Sequence, residues 1–123
     1  MEIYGKKIGM RLTVGATAKI AARCPDGDLR RIGELFDRPF AENMDFIADF
    51  IVALNEGYVS QKKFEGESCD RLGREEVLSL GIQDFNRLQE EAMRAFGDGQ
   101  KSEVETVAKK NNEEEDEKSP SRG

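Results

Sequence analysis

The spacing of apolar positions changes period along the chain. Ile8, Met10, Leu12 and Val14 alternate with Gly9, Arg11 and Thr13, the two-residue period of a half-buried strand. Glu2, Ile3 and Tyr4 precede this run across Gly5, Lys6 and Lys7, so the pattern predicts an N-terminal β-hairpin turning at Gly5. A lone hairpin is unstable in water, so its apolar face must lie on helices. From Gly15 the alanine-rich run ATAKIAARC predicts a short helix of about eight residues. Pro25, Asp26 and Gly27 end it with turn chemistry. Asp28 stands where an N-cap is wanted, and Leu29, Ile32, Leu35 and Phe36 form one face of the helix that follows.

The strongest helical pattern covers residues 39–55. Phe46, Phe50 and Leu54 are four apart, and Ile47 and Ile51 fill the adjacent row. That stripe is wide enough to be the centre of the core. Pro39 suits the first turn and Gly57 a C-terminal stop. Residues 58–72 have weak periodicity and read as a short helix or strand piece, then loop. Residues 74–80 restart as a helix with Glu75 and Glu76 in its first turn, favourable against the helix dipole. After Gly81 a last helix carries Ile82, Phe85, Leu88, Ala92 and Phe96 on one face. The fold class is therefore mainly α within α+β: a hairpin, then four or five short helices.

Composition changes near residue 97. Among residues 97–123 only Val104, Val107 and Ala108 are apolar, and positions 113–117 are unbroken acid. Such a segment buries too little surface to offset its ordering entropy. The expected organisation is a folded domain over 1–96 and a disordered acidic tail over 97–123. The acidic run reads as a solubilising tail or as an element for a basic partner.

Charge and chemistry narrow the function. The chain has 19 basic and 25 acidic side chains, a net charge of −6 and no histidine. A general nucleic-acid binder needs a basic face, so no nucleic-acid partner is expected. No apolar run is long enough to span a bilayer as a helix, and MEIYGKKIG lacks the apolar core of a signal peptide. Without histidine the commonest general base and metal ligand is missing. Cys24 and Cys69 have no second ligand at zinc spacing and read as small, mostly buried apolar residues in a reduced protein. Asp26-Gly27-Asp28 lacks the further oxygen ligands of a calcium loop. The pairs Glu34/Asp37 and Glu90/Glu91 fall on polar helix faces, where solvated surface is the simpler reading than acid–base work. No catalytic residue, cofactor or metal is expected. The stripe Phe40, Phe46 and Phe50 serves either as core or as a docking groove for a partner helix. Phe40, Met44, Ile47 and Ile51 are the candidate edge of such a groove.

Four segments, taken in order, carry a family resemblance: MRLTVGATAKIAARCPDGDLRRIGELF, FAENMDFIADFIVALNEGY, LGREEVLSLGIQDFNRLQEEAMRAF and VETVAKKNNEEEDE. Together they cover almost the whole chain. Their order resembles the tail assembly chaperones of long-tailed, siphophage-like bacteriophages of Gram-positive hosts and their prophages. The resemblance implies a non-enzymatic protein of the bacterial host cytoplasm, absent from the mature virion. It implies a protein that keeps the helical tape-measure protein soluble and helps gather tail-tube subunits around it. It also implies a longer product made by −1 ribosomal frameshifting near the end of the short frame. Ala108, Lys109, Lys110 and Asn111 can be encoded as GCA AAA AAA AAC, a slippery run. Lys6-Lys7 and Lys62-Lys63 permit A-rich codons too, but only the later pair lies at the border of body and tail. The competing readings are a small acidic prophage adaptor or regulator and a minor virion structural protein; oligomeric state stays open.

Overall fold

A computed structural model describes the backbone of residues 1–118 and the side chains of residues 1–101. Two short antiparallel strands, β1 (Glu2–Ile3) and β2 (Lys6–Lys7), open the chain. Helices α1 (Val14–Arg23), α2 (Ile32–Phe36), α3 (Phe40–Phe64), α4 (Arg74–Leu78) and α5 (Ile82–Lys118) follow. Two single 3₁₀ turns, Pro25–Gly27 and Leu29–Arg31, join α1 to α2. The mainly α architecture with an N-terminal hairpin agrees with the hydrophobic pattern. The acidic run 113–117 and the frameshift positions Lys109, Lys110 and Asn111 lie past Lys101, outside the described side chains. The expected disordered tail starts at residue 97, but residues 97–101 are helical, and Gly99 lies against Leu12; α5 outruns its apolar face because those turns still pack on the N-terminal segment.

The hairpin is tighter than the alternation of residues 8–14 suggests. Tyr4 and Gly5 form its turn, with φ of 52° and 77°, the paired positive values that let two residues reverse a right-twisted ribbon. Glu2 pairs with Lys7 and Ile3 with Lys6. The expected strand over residues 8–14 is not in the sheet; its alternating side chains serve a different partner. Ile8 is buried, and Met10 and Leu12 pack half-buried against the core, because the segment runs extended across α3. The Arg11 amide donates to the Leu54 carbonyl at 3.0 Å, and Asn55 Nδ2 donates to the Gly9 carbonyl at 2.9 Å. A strand period thus marks a chain lying on a helix.

That crossing explains a second departure. Gly57 was expected to stop the helix at residue 55, yet α3 continues to Phe64. A Cβ on Gly57 would stand 2.5 Å from the Arg11 carbonyl oxygen and 2.9 Å from Thr13 Oγ1. The glycine is therefore a packing residue in mid-helix. It lets the extended backbone touch the helix backbone.

Capping fixes the other helices. Thr13 Oγ1 accepts from the Ala16 amide at 3.1 Å and starts α1. Asp28 Oδ1 accepts from the Arg30 amide at 3.0 Å, as expected of an N-cap. Asn43 Nδ2 donates to the Phe36 carbonyl at 2.6 Å and satisfies an orphan acceptor at the end of α2. Glu76 reaches back to accept from the Gly73 amide at 2.9 Å, the acidic half of a capping box. The last helix buries Phe85, Leu88, Ala92 and Phe96 as expected, whereas Ile82 stands 64% exposed at its first turn.

The core centres on α3. Phe36, Phe46, Phe50 and Phe96 meet with ring centroids 5.3–5.8 Å apart, three of the four pairs edge to face. Such pairs contribute beyond the area they bury. Asn55 is the one fully buried polar side chain among the described residues. Its Nδ2 holds Gly9 and its Oδ1 accepts from the Leu72 amide at 2.8 Å, so one amide ties two irregular segments to α3.

Three substitutions test this crossing, one of them as a control away from it. Gly57→Ala should destabilise by about 1–3 kcal/mol, because overpacking outweighs the gain in helix propensity. Gly97→Ala, with no atom within 4 Å of its Cβ, should stabilise by about 0.5–1 kcal/mol. Asn55→Leu should lose about 2–4 kcal/mol by orphaning a buried carbonyl and a buried amide. Urea unfolding midpoints check all three; equal effects at Gly57 and Gly97 would refute the close-approach account.

Candidate partner-binding surface

Of the four groove-edge residues expected from the sequence, the structure keeps two at the surface. Phe40 is 69% exposed and Met44 is half-buried. Ile47 and Ile51 are 1% and 0% exposed, packed inside the core, because the row they occupy faces the other helices. Phe46 and Phe50 are core for the same reason. The four residues therefore do not line one groove.

A different groove lies between the start of α1 and the second half of α3. Its floor is made by small side chains: Gly15, Ala16, Ala53, Gly57 and Ser60. Leu12, Val14 and Phe64 border it. The cavity measures about 600 Å³. Val14 is 89% and Phe64 91% exposed, so its rim offers large apolar side chains to solvent. A smaller depression of about 220 Å³, lined by Ile20, Arg23, Phe46 and Phe50 among others, shares Lys19, Ala53 and Glu56 with it. Lys19 and Glu56 pair with each other across α1 and α3 at this junction. By pattern alone Val14 belongs to a strand and Phe64 to a stretch of weak periodicity. The signal that pattern lacks is the recurrence of Ala53, Gly57 and Ser60 at i, i+4 and i+7, a strip of small residues on one helix face.

Polar contacts beside the groove are structural. Arg23 of α1 and Arg74 of α4 each pair with both Asp45 and Asp49 of α3. Arg74 also donates to the Asp45 carbonyl oxygen at 3.2 Å, and Arg23 lies 5.8 Å from the centre of the Phe46 ring. Arg74's hydrogen bond, then its charge, holds the Asp45 carboxyl below the ordinary aspartate range, with Arg23 adding to it. This ring fastens three helices at their solvent edge.

The remaining sequence candidates are placed as turns, caps and surface. Cys24 is buried and donates its thiol to the Ile20 carbonyl at 3.4 Å. Burial, aided by Asp28, pushes that thiol's pKa up, the reverse of an activated nucleophile. Asp28 is a cap held by Arg30, and Asp26 pairs with Arg31. Glu34 pairs with Arg31 and Glu91 with Arg94. Among the described residues no three histidine, cysteine or acidic side chains cluster to hold a metal ion, and no helix is long and apolar enough to cross a membrane.

The Arg–Asp ring generates a pH dependence. A carboxyl with a depressed folded pKa contributes stability that is complete above its unfolded value and lost as pH falls through the folded one. Unfolding free energy should therefore drop progressively below about pH 5. Asp45→Asn should lower stability at pH 7 and flatten that acid limb; an unchanged limb would show that the ring carries none of it. Comparison with protein-family models, curated proteins and solved structures gives no match for this chain.

Proposed function

We propose that this protein is a non-enzymatic bacteriophage tail assembly chaperone. It binds the helical tape-measure protein in the host cytoplasm, keeps it soluble, helps recruit tail-tube subunits and is absent from the finished virion. The observation that carries the reading is the open groove between α1 and α3. A small-residue floor lets a partner helix approach closely, and the exposed Val14 and Phe64 on its rim supply apolar contact. Val14 and Phe64 border the same groove, so one partner helix could cover both. The resemblance of the four sequence segments to tail assembly chaperones supplies the identity of that partner. The frameshift expectation at Lys109, Lys110 and Asn111 belongs to the same reading and is tested at the level of the gene.

Co-expression with the tape-measure protein of the same phage or prophage tests it. The soluble fraction of the tape-measure protein should rise severalfold, and Val14→Asp with Phe64→Asp should abolish the rise. Both positions are exposed, so the doubly substituted chain should keep its unfolding free energy within about 0.5 kcal/mol of the parent. Presence of the protein at constant stoichiometry in purified particles, with no gain in solubility, would instead identify a virion structural protein. Loss of binding on removing the acidic run alone would identify an acidic adaptor.

A further inference from the structure

The groove between α1 and α3 does not end at Lys19. The smaller depression continues it along the same two helices, and the two share Lys19, Ala53 and Glu56. The helices run antiparallel here, since Lys19 pairs with Glu56 and Arg23 with Asp49. On α3 the groove is lined from Ala53 to Phe64 and the depression from Phe46 to Glu56, so their midpoints lie about 11 Å apart along the helix. On the facing wall the groove runs from Leu12 to Lys19 and the depression from Lys19 to Arg23, a separation of about 10 Å. A helix laid along this channel rises about 10.5 Å in seven residues, and residues i and i+7 share one face.

Each end suits a large apolar side chain. At the groove end Val14 and Phe64 stand exposed beside the small floor. At the other end Ile20, Phe46 and Phe50 are among the residues lining about 220 Å³, where roughly 150 Å³ is enough for a benzene ring. The junction differs, because it is ionic and partly exposed. Among the described residues Lys19 Nζ donates to Glu56 Oε2, which leaves Glu56 Oε1 and two ammonium hydrogens for a covering group. A carboxylate laid there would face Glu56, and an ammonium would face Lys19. An apolar side chain would take water from the pair and return no hydrogen bond. A carboxamide is neutral and carries both an acceptor and donors, so it serves both partners.

We propose that the channel takes a helix of one pattern: large apolar side chains at i and i+7, with glutamine or asparagine at i+3 or i+4 between them, over the Lys19–Glu56 pair. This pattern rests on the reading of the groove as a partner-helix site, and it selects which segment of a long helical partner is held.

Capped, dye-labelled synthetic helices of about 20 residues on one Ala/Glu/Lys background test it against the full-length chain by fluorescence anisotropy. The first probe carries leucine at i and i+7 and glutamine at both i+3 and i+4, so it reads the same in either direction. Two others of the same composition carry the leucines at i and i+4 or at i and i+11, with the glutamines kept on the leucine face. The first should bind at least about tenfold more tightly than either, the affinity that one buried leucine supplies. Replacing its glutamines with leucine should weaken it at least about threefold, although the probe becomes more apolar. Val14→Asp with Phe64→Asp should abolish its binding. Equal affinity at all three spacings, or tighter binding of the all-leucine probe, would overturn the pattern; if the double substitution still abolished that binding, the groove would stand as a helix site without it. Binding of no probe at about 1 mM would overturn the pattern too. The solubility of co-expressed tape-measure protein is read without any peptide, so the chaperone reading stands or falls separately.

Discussion

Asn55 and Gly57 sit two residues apart on α3, and between them they hold the irregular parts of the molecule to its main helix. The asparagine amide serves Gly9 on one side and Leu72 on the other. The glycine gives the Arg11 backbone room to lie on the helix. Each needs the other. Without close approach the asparagine cannot reach a carbonyl on the extended segment. Without the amide a backbone segment buried on a helix has too few hydrogen-bond partners. The groove inherits its position from this contact, because Leu12, Thr13 and the start of α1 are delivered to Gly57 by it.

The legible part of the fold was the part governed by local periodicity. The stripe of Phe46, Phe50 and Leu54, the Asp28 cap and the face of Phe85, Leu88, Ala92 and Phe96 are all side-chain patterns set by a helix repeat, and each is where the pattern puts it. The alternation at 8–14 was read as a strand because a two-residue period records an extended chain with one buried face. It does not record whether the neighbour is a strand or a helix. Gly57 was read as a stop because glycine ends helices more often than it packs them. Only the tertiary partner, Arg11, distinguishes the two roles.

The candidate surface was less legible for a related reason. Apolar residues at helical spacing announce a buried face, and Ile47 and Ile51 are buried. A binding groove inside a helical body is announced by small residues, whose absence of side chain leaves the space. Ala53, Gly57 and Ser60 carry little hydrophobic signal, so a search for apolar stripes passes over them. Val14 and Phe64 are large, but each stands at an element's end, where periodicity has nothing to repeat.

Electrostatics divides the surface into a clamped side and an open one. Asp45 and Asp49 are shared between Arg23 and Arg74, so the side of α3 toward α4 is cross-linked to two neighbouring helices. A shared partner lowers the entropy lost per ion pair, since each side chain is already ordered by the other. On the groove side the Lys19–Glu56 pair spans α1 and α3 at the junction of two depressions. Surface pairs of that kind hold little energy.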